Sequence, residues 1–171
     1  MSELISTVTA ETLNFEGLFS MKEIFRIIDK YFRTRAFDKK ILFDEEFYTS
    51  NGKYIHVKAE YYKKWDNYIR MQIRFWLYVH NLVEVEKEVE GQKIKTNNGK
   101  ITIIFDGFIQ SDFRHRWDSK PIYFLIRTLF EKYFYNGKME YWENISKYII
   151  YELRSELTSY LNMSKYLYTS T

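Results

Sequence analysis

The three histidines are the side chains best able to hold a metal or move a proton near neutral pH, so their spacing decides how much chemistry the chain offers. His56, His80 and His115 stand far apart and no cysteine accompanies them, which leaves no zinc-like spacing. Neither a metal nor any other cofactor is expected. His56 and His80 read as polar-face strand residues among tyrosines. His115 differs, because Asp112, Arg114, Arg116 and Asp118 gather around it where a strand is expected to end, a place where ionisable groups collect around clefts. A solvated charged loop is the plainer account of that cluster. Carboxylates occur together as Asp44-Glu45-Glu46 and as the alternating Glu84, Glu86, Glu88 and Glu90. Four acids on one strand face keep an edge soluble and unpaired; they do not supply two carboxyls in different environments. With no glycine-rich phosphate loop, no Gly-x-Ser-x-Gly turn and no serine–histidine pairing, an enzyme is not expected.

Surface recognition remains. Tyr68, Arg70, Gln72, Arg74, Trp76, Tyr78 and His80 interleave cations with flat rings, the mixture that meets phosphates through charge and bases through stacking. Arg, Tyr and Trp are also the residues richest in protein-interface hot spots, so a homodimer or larger assembly explains the same row. Burial of the row under helices is the plain alternative. A second basic feature is the stripe Lys22, Arg26, Lys30 and Arg33; the net charge of +3 is too mild to announce nucleic acid alone.

The elements that must position these residues follow from periodicity. From Tyr68 to Phe113 the chain reads as one long antiparallel hairpin. Ile69, Met71, Ile73, Phe75, Leu77 and Val79 alternate with the row above, and Ile101, Ile103, Phe105 and Ile109 alternate with Thr102, Asp106 and Gln110. Gly91 and Asn97-Asn98-Gly99 are expected to supply left-handed turn backbone. Ile5 to Leu13, rich in β-branched residues, reads as an edge strand. Ser20 and Glu23 form an expected capping box for a helix whose stripe Met21, Ile24, Phe25, Ile28, Tyr31 and Phe32 lies opposite the basic one. Ile41 to Tyr48 and Tyr54 to Trp65 are strands joined by a type I′ turn at Asn51-Gly52. Beyond Phe113, Pro121 opens a second predicted helix with Ile122, Leu125, Ile126, Leu129, Phe130 and Tyr133 as its stripe and Asn136-Gly137 as its stop. A third predicted helix, Glu140 to Asn162, carries Trp142, Ile145, Ile149, Leu153, Leu157 and Leu161.

The expected fold is a single α+β domain over residues 1–171: a twisted antiparallel sheet of five to six strands, an N-terminal helix, and two C-terminal helices packed on one face. A chain of 171 residues buries enough surface for one core. The aromatic share of 20% exceeds what such a core requires, so some rings belong at a surface or around a cavity. The lack of cysteine fits a reducing interior, and the cytoplasm is the expected location. Neither a signal peptide nor a transmembrane segment is expected, since no uncharged apolar run approaches roughly 20 residues.

This element order, with a long terminal helix after a curved antiparallel sheet, resembles the helix-grip arrangement of START-like and polyketide-cyclase-like proteins. That family has two short helices after its first strand and six further strands. The present chain offers one helix and fewer strands, and the resemblance implies no site residue. The segment Tyr123-Phe124-Leu125-Ile126-Arg127-Thr128-Leu129-Phe130-Glu131-Lys132-Tyr133 is similar to small uncharacterised archaeal proteins. The leading functional expectation is a non-enzymatic intracellular binding protein that engages RNA, a ribonucleoprotein such as the ribosome, or a second copy of itself through the Arg/Tyr/Trp row and the basic helix. The alternative, which the resemblance implies, is a carrier holding an apolar ligand or lipid between the sheet and the long C-terminal helix. Rings around a cavity of several hundred Å³ favour the carrier, and rings on a solvent-facing basic sheet favour the binder.

Overall fold

The computed structural model describes residues 3–50, 52–65, 69–89, 92–111 and 136–169. Strand β1 (Glu3–Phe19) leads into helix α1 (Met21–Thr34). Strands β2 (Asp38–Thr49), β3 (Gly52–Lys64), β4 (Ile69–Val89) and β5 (Gln92–Ser111) follow as a meander, and helix α2 (Asn136–Thr169) comes after them. All pairings are antiparallel in the order β1-β5-β4-β3-β2, so the first strand lies beside the last and β1 and β2 form the edges. The fold is α+β with a five-stranded antiparallel sheet.

Strict alternation along β4 and β5 decides which face is covered. Ile69, Met71, Ile73, Phe75, Leu77 and Val79 are buried with Ile101, Ile103, Phe105 and Ile109 on the inner face. There all of these but Ile69 and Ile109 share one core with Ile24, Ile28, Tyr31 and Phe32 of α1 and Ile149, Ile150, Leu153, Leu157 and Leu161 of α2. Gly107 marks the tightest seat of α2: a Cβ placed there would stand 2.8 Å from Ile150 Cδ1 and 2.9 Å from Ser146 Oγ. No helix among the described residues is long and apolar enough to cross a membrane.

Several details differ from the sequence expectation. The long hairpin is longer still: Val89 pairs with Gln92, and Asn97, Asn98 and Gly99 are strand residues opposite Phe19, Leu18 and Gly17 of β1 rather than a turn. Its irregularity falls instead at Asn81, whose φ of 53° breaks the register between His80 and Val83. Gly52 and Gly99 flank that bulge, and side chains there would meet the backbone of Asn81 and Leu82. The β2–β3 turn sits one residue earlier than expected, because Thr49 already pairs with Gly52. The capping box does not form. Ser20 occupies the N-cap without a side-chain cap bond; its own N–H donates to Tyr160 Oη of α2 at 3.0 Å, while Glu23 pairs with Arg26. Asn136 and Gly137 are the first helical residues of α2, not a stop. The second predicted helix and Asp112 to Pro121 lie outside the described residues.

Candidate functional site

A cleft of about 810 Å³ lies between α1 and the inner face of β2, β3 and β4. Ile55, Val57, Ala59 and Phe75 form its floor, Met21 and Phe25 one wall, and Ile41 and Tyr48 the other. Local rules place each of these. Met21, Phe25 and Asp29 recur every four residues and therefore stack along one side of α1. On β2 a bulge between Ile41 and Phe43 inverts the alternation. Lys39 and Ile41 before it, and Asp44, Glu46 and Tyr48 after it, consequently share the cleft side.

The rim is charged and largely paired within itself. Asp29 accepts hydrogen bonds from Tyr61 Oη and Lys39 Nζ, each at 2.8 Å, and Phe32 stacks on the Tyr61 ring with centroids 3.9 Å apart. Burial, then the bond to Asp29, pushes the Tyr61 phenol well above its usual range. Glu46 binds Lys53 and holds its ammonium above the ordinary lysine value. These contacts fasten one end of α1 to β3 and leave the other end open beside Met21 and Phe25. The lining thus combines an apolar floor with carboxylates and lysines at the rim, an arrangement that can hold a small molecule by its apolar body and its polar end.

From Arg70 to His80 the Arg/Tyr/Trp row occupies the outer face, away from both described helices, and each of these members is half-buried; Tyr68 lies outside the described residues. Its groups engage one another across the strands. His56 stacks on Tyr78 at 4.5 Å, Tyr54 meets His80 edge-on at 4.6 Å, and Lys58 Nζ lies 3.8 Å above the Trp76 ring. Trp76 Nε1 donates to Asp106 Oδ2 at 3.2 Å; Arg74 pairs with Glu60 at 3.1 Å and lies over Phe108; Arg70 donates to Gln110. The row is thus brought together as expected, but its guanidiniums already face carboxylate, amide and ring partners.

Lys22, Arg26, Lys30 and Arg33 are all exposed on α1, and Lys22 also reaches the cleft rim. The strand-end cluster Asp112, Arg114, His115 and Arg116 lies outside the described residues. No group of His, Asp and Glu among the described residues is arranged to hold a metal ion. Glu84 sits opposite Asn97, which also pairs with Phe19 of β1; beyond the reach of β1 and β3, Glu86 sits opposite Lys95 in a two-stranded ribbon.

Periodicity did not reveal two groups. The cleft walls were hidden because Met21 and Phe25 look like ordinary stripe residues and the bulge reassigns half of β2. The signal was the width of the α1 stripe, which exceeds what one contact needs. The second group joins the helices: Glu152 accepts from Tyr31 Oη at 2.5 Å and from Arg35 at 2.7 Å, and the Arg35 guanidinium lies 3.6 Å over the Tyr31 ring. The Tyr31 bond and the Arg35 charge hold the Glu152 carboxyl below its usual range. Burial foremost raises Tyr31. Comparison with models of known families, with curated proteins and with solved structures returns no match.

Proposed function

We propose that the protein is a non-enzymatic carrier, acting in the cytoplasm, that takes an apolar or amphipathic small molecule into the cleft beneath α1. The observation that carries this reading is the cleft itself: about 810 Å³, with an aliphatic and aromatic floor beneath a charged rim, within the range of small-molecule sites. An apolar body on Ile55, Val57, Ala59 and Phe75 would leave a polar end at the rim lysines and carboxylates. The strand order supports the helix-grip resemblance, since the first strand neighbours the last and a long terminal helix crosses the inner face. The ligand's place differs from that expectation: the lining comes from α1 and β2 to β5, and α2 packs directly on the sheet.

Two measurements test the carrier reading. Native mass spectrometry of the intact protein is expected to show a co-purifying small molecule, and an anilinonaphthalene sulfonate probe is expected to bind once per chain. Ile41→Arg on the wall and Val57→Phe on the floor are each expected to weaken the probe ten-fold or more. Unaltered binding in both variants removes the cleft from consideration.

Recognition of RNA, a ribonucleoprotein or a second copy of the chain through the outer face and the exposed basic stripe of α1 is the second reading, favoured by rings and cations on a face that neither described helix covers and by four exposed cations on α1. The internal partners of Arg74 and Lys58 weigh against strong phosphate binding. RNA affinity that falls steeply with salt, with a slope flattened by changing Lys22, Arg26, Lys30 and Arg33 to Ala, would favour this reading over the carrier.

A further inference from the structure

We infer that β2 is an interface with a second copy of this chain, pairing antiparallel to itself so that two sheets join into one. Among the described residues β2 has a strand neighbour on one side only, and its apolar side chains stay in solvent: Ile41 is 55% exposed, Leu42 39% and Phe47 51%. An edge strand offers a row of unpaired backbone donors and acceptors, and such edges are ordinarily blunted by charges and bulges. Here those two devices act together toward pairing.

In a regular strand Lys40 and Glu45, five positions apart, would face opposite sides of the sheet. The bulge between Ile41 and Phe43 changes that. Lys40 lies opposite Glu60 and Glu45 opposite His56, so both point to the outer face; Lys39 lies opposite Tyr61 and Glu46 opposite Ile55, so both point to the inner face. A two-fold axis normal to the sheet requires that residues opposite one another share a face. With the axis between Leu42 and Phe43, Lys40 meets Glu45 of the second copy on the outer face and Lys39 meets Glu46 on the inner face. The axis repeats each pair, giving four opposite-charge pairs around a centre in which Leu42 meets Phe43 and Ile41 meets Asp44. Moving the register by two residues one way leaves only Lys39–Asp44 pairs, set against Asp38–Glu45 like-charge pairs, and the other way leaves none. Lys39 and Glu46 also have partners within the chain, Asp29 and Lys53, and keep exposed sides; Lys40 and Glu45 have no ion pair among the described residues. The cleft walls of the two copies would then adjoin along the shared strand.

Sedimentation velocity of the full chain over a range of concentrations tests the interface. The wild-type protein is expected to dimerise, and Lys40→Glu and Glu45→Lys are each expected to weaken the dimer ten-fold or more, since each sets two pairs of like charges face to face. Mixing the two variants at equal amounts is expected to restore association, because the mixed dimer has one native and one reversed Lys–Glu pair on the outer face. Circular dichroism and melting curves confirm that both variants fold; Lys40 is exposed and Glu45 half-buried with no ion pair among the described residues, so their monomers are expected to stay folded. A wild-type chain that stays monomeric at ~100 µM, far above typical dissociation constants of specific dimers, overturns the proposal. Variants that dimerise as well as the wild type, or a mixture that does not re-associate, would overturn it too.

Discussion

Gly107 offers the most direct test of how α2 is seated. It lies on β5 between Ile73 of β4 and Val8 of β1, which stands between two register shifts, so a strand flanks it on either side. A methyl group there would stand 2.5 Å from Thr7 Oγ1, 2.8 Å from Ile150 Cδ1 and 2.9 Å from Ser146 Oγ. Thr7 and Ser146 share a 2.8 Å hydrogen bond at this crossing, and Gly107→Ala drives its carbon into that pair. Replacing glycine by alanine stabilises by roughly 0.4–1 kcal/mol where the backbone permits, through the unfolded chain. Overpacking costs about 1–3 kcal/mol, and disturbing the hydrogen bond adds about 1 kcal/mol. The net expectation is a loss of about 2 kcal/mol, a melting temperature lower by about 4–8 °C for a chain of this size. The cycle is closed with Ile150→Val, which removes the clashing Cδ1. Alone it should cost about 1 kcal/mol, but in the Gly107→Ala background it should cost little or restore stability. Urea unfolding of the four proteins reads the coupling directly. An unchanged melting temperature for Gly107→Ala, or strictly additive losses, would show that α2 does not rest on this glycine.

Other perturbations reach other parts of the fold. Ala36 closes α1 with φ of 56° while Phe37 N–H returns to Phe32 O at 3.0 Å, so Ala36→Gly should relieve left-handed strain and raise stability by about 1 kcal/mol in thermal melts. Stability should fall at both ends of the pH scale. Glu152, with its carboxyl held low in the fold, stabilises above the ordinary carboxylate range and loses that contribution as pH falls through its folded value; Tyr31 and Tyr61, held high, stabilise below about 10 and lose it as pH rises. Melting temperature against pH checks this, and a curve still rising above pH 10 would contradict it. Arg74→Glu sets a new acid between Glu60 and Asp106 on neighbouring strands. It should destabilise by about 1–3 kcal/mol, partly recovered in high salt, and an unaltered urea midpoint would mean that Arg74 is not held there.

Much of this architecture was legible because period-two alternation is a strong local signal. The rows of β4 and β5, the α1 stripe and the α2 stripe from Ile149 to Leu161 are all where periodicity expects them. What escaped was set by contacts between distant segments. Ser20 and Glu23 form a capping box only if nothing better satisfies the Ser20 N–H, and Tyr160 does so from the far end of the chain. Asn97-Asn98-Gly99 has turn composition, yet its position beside the Asn81 bulge makes close backbone approach, not chain reversal, the reason for glycine. The cleft was the least legible part, since the β2 bulge that directs Asp44, Glu46 and Tyr48 inward leaves no pattern of its own in the sequence. The arginines of the outer row were found where alternation places them, but their partners Glu60 and Gln110 depended on strand register.

The pairing of β1 with β5 also sets the order in which the molecule can assemble. Neighbouring strands from β2 to β5 meet through short connections and can zip locally, whereas Glu3 must find Ser111 and Phe19 must find Asn97. Closing loops of that length costs on the order of 4 kcal/mol in chain entropy before any contact repays it. Until β5 exists, β1 has no strand to join and its β-branched residues remain available to other chains. Refolding should therefore be slow for the size of the protein, with the β1–β5 ladder and the α2 crossing at Gly107 forming last. Pulsed hydrogen exchange should find the amides of β4 protected well before those of β1.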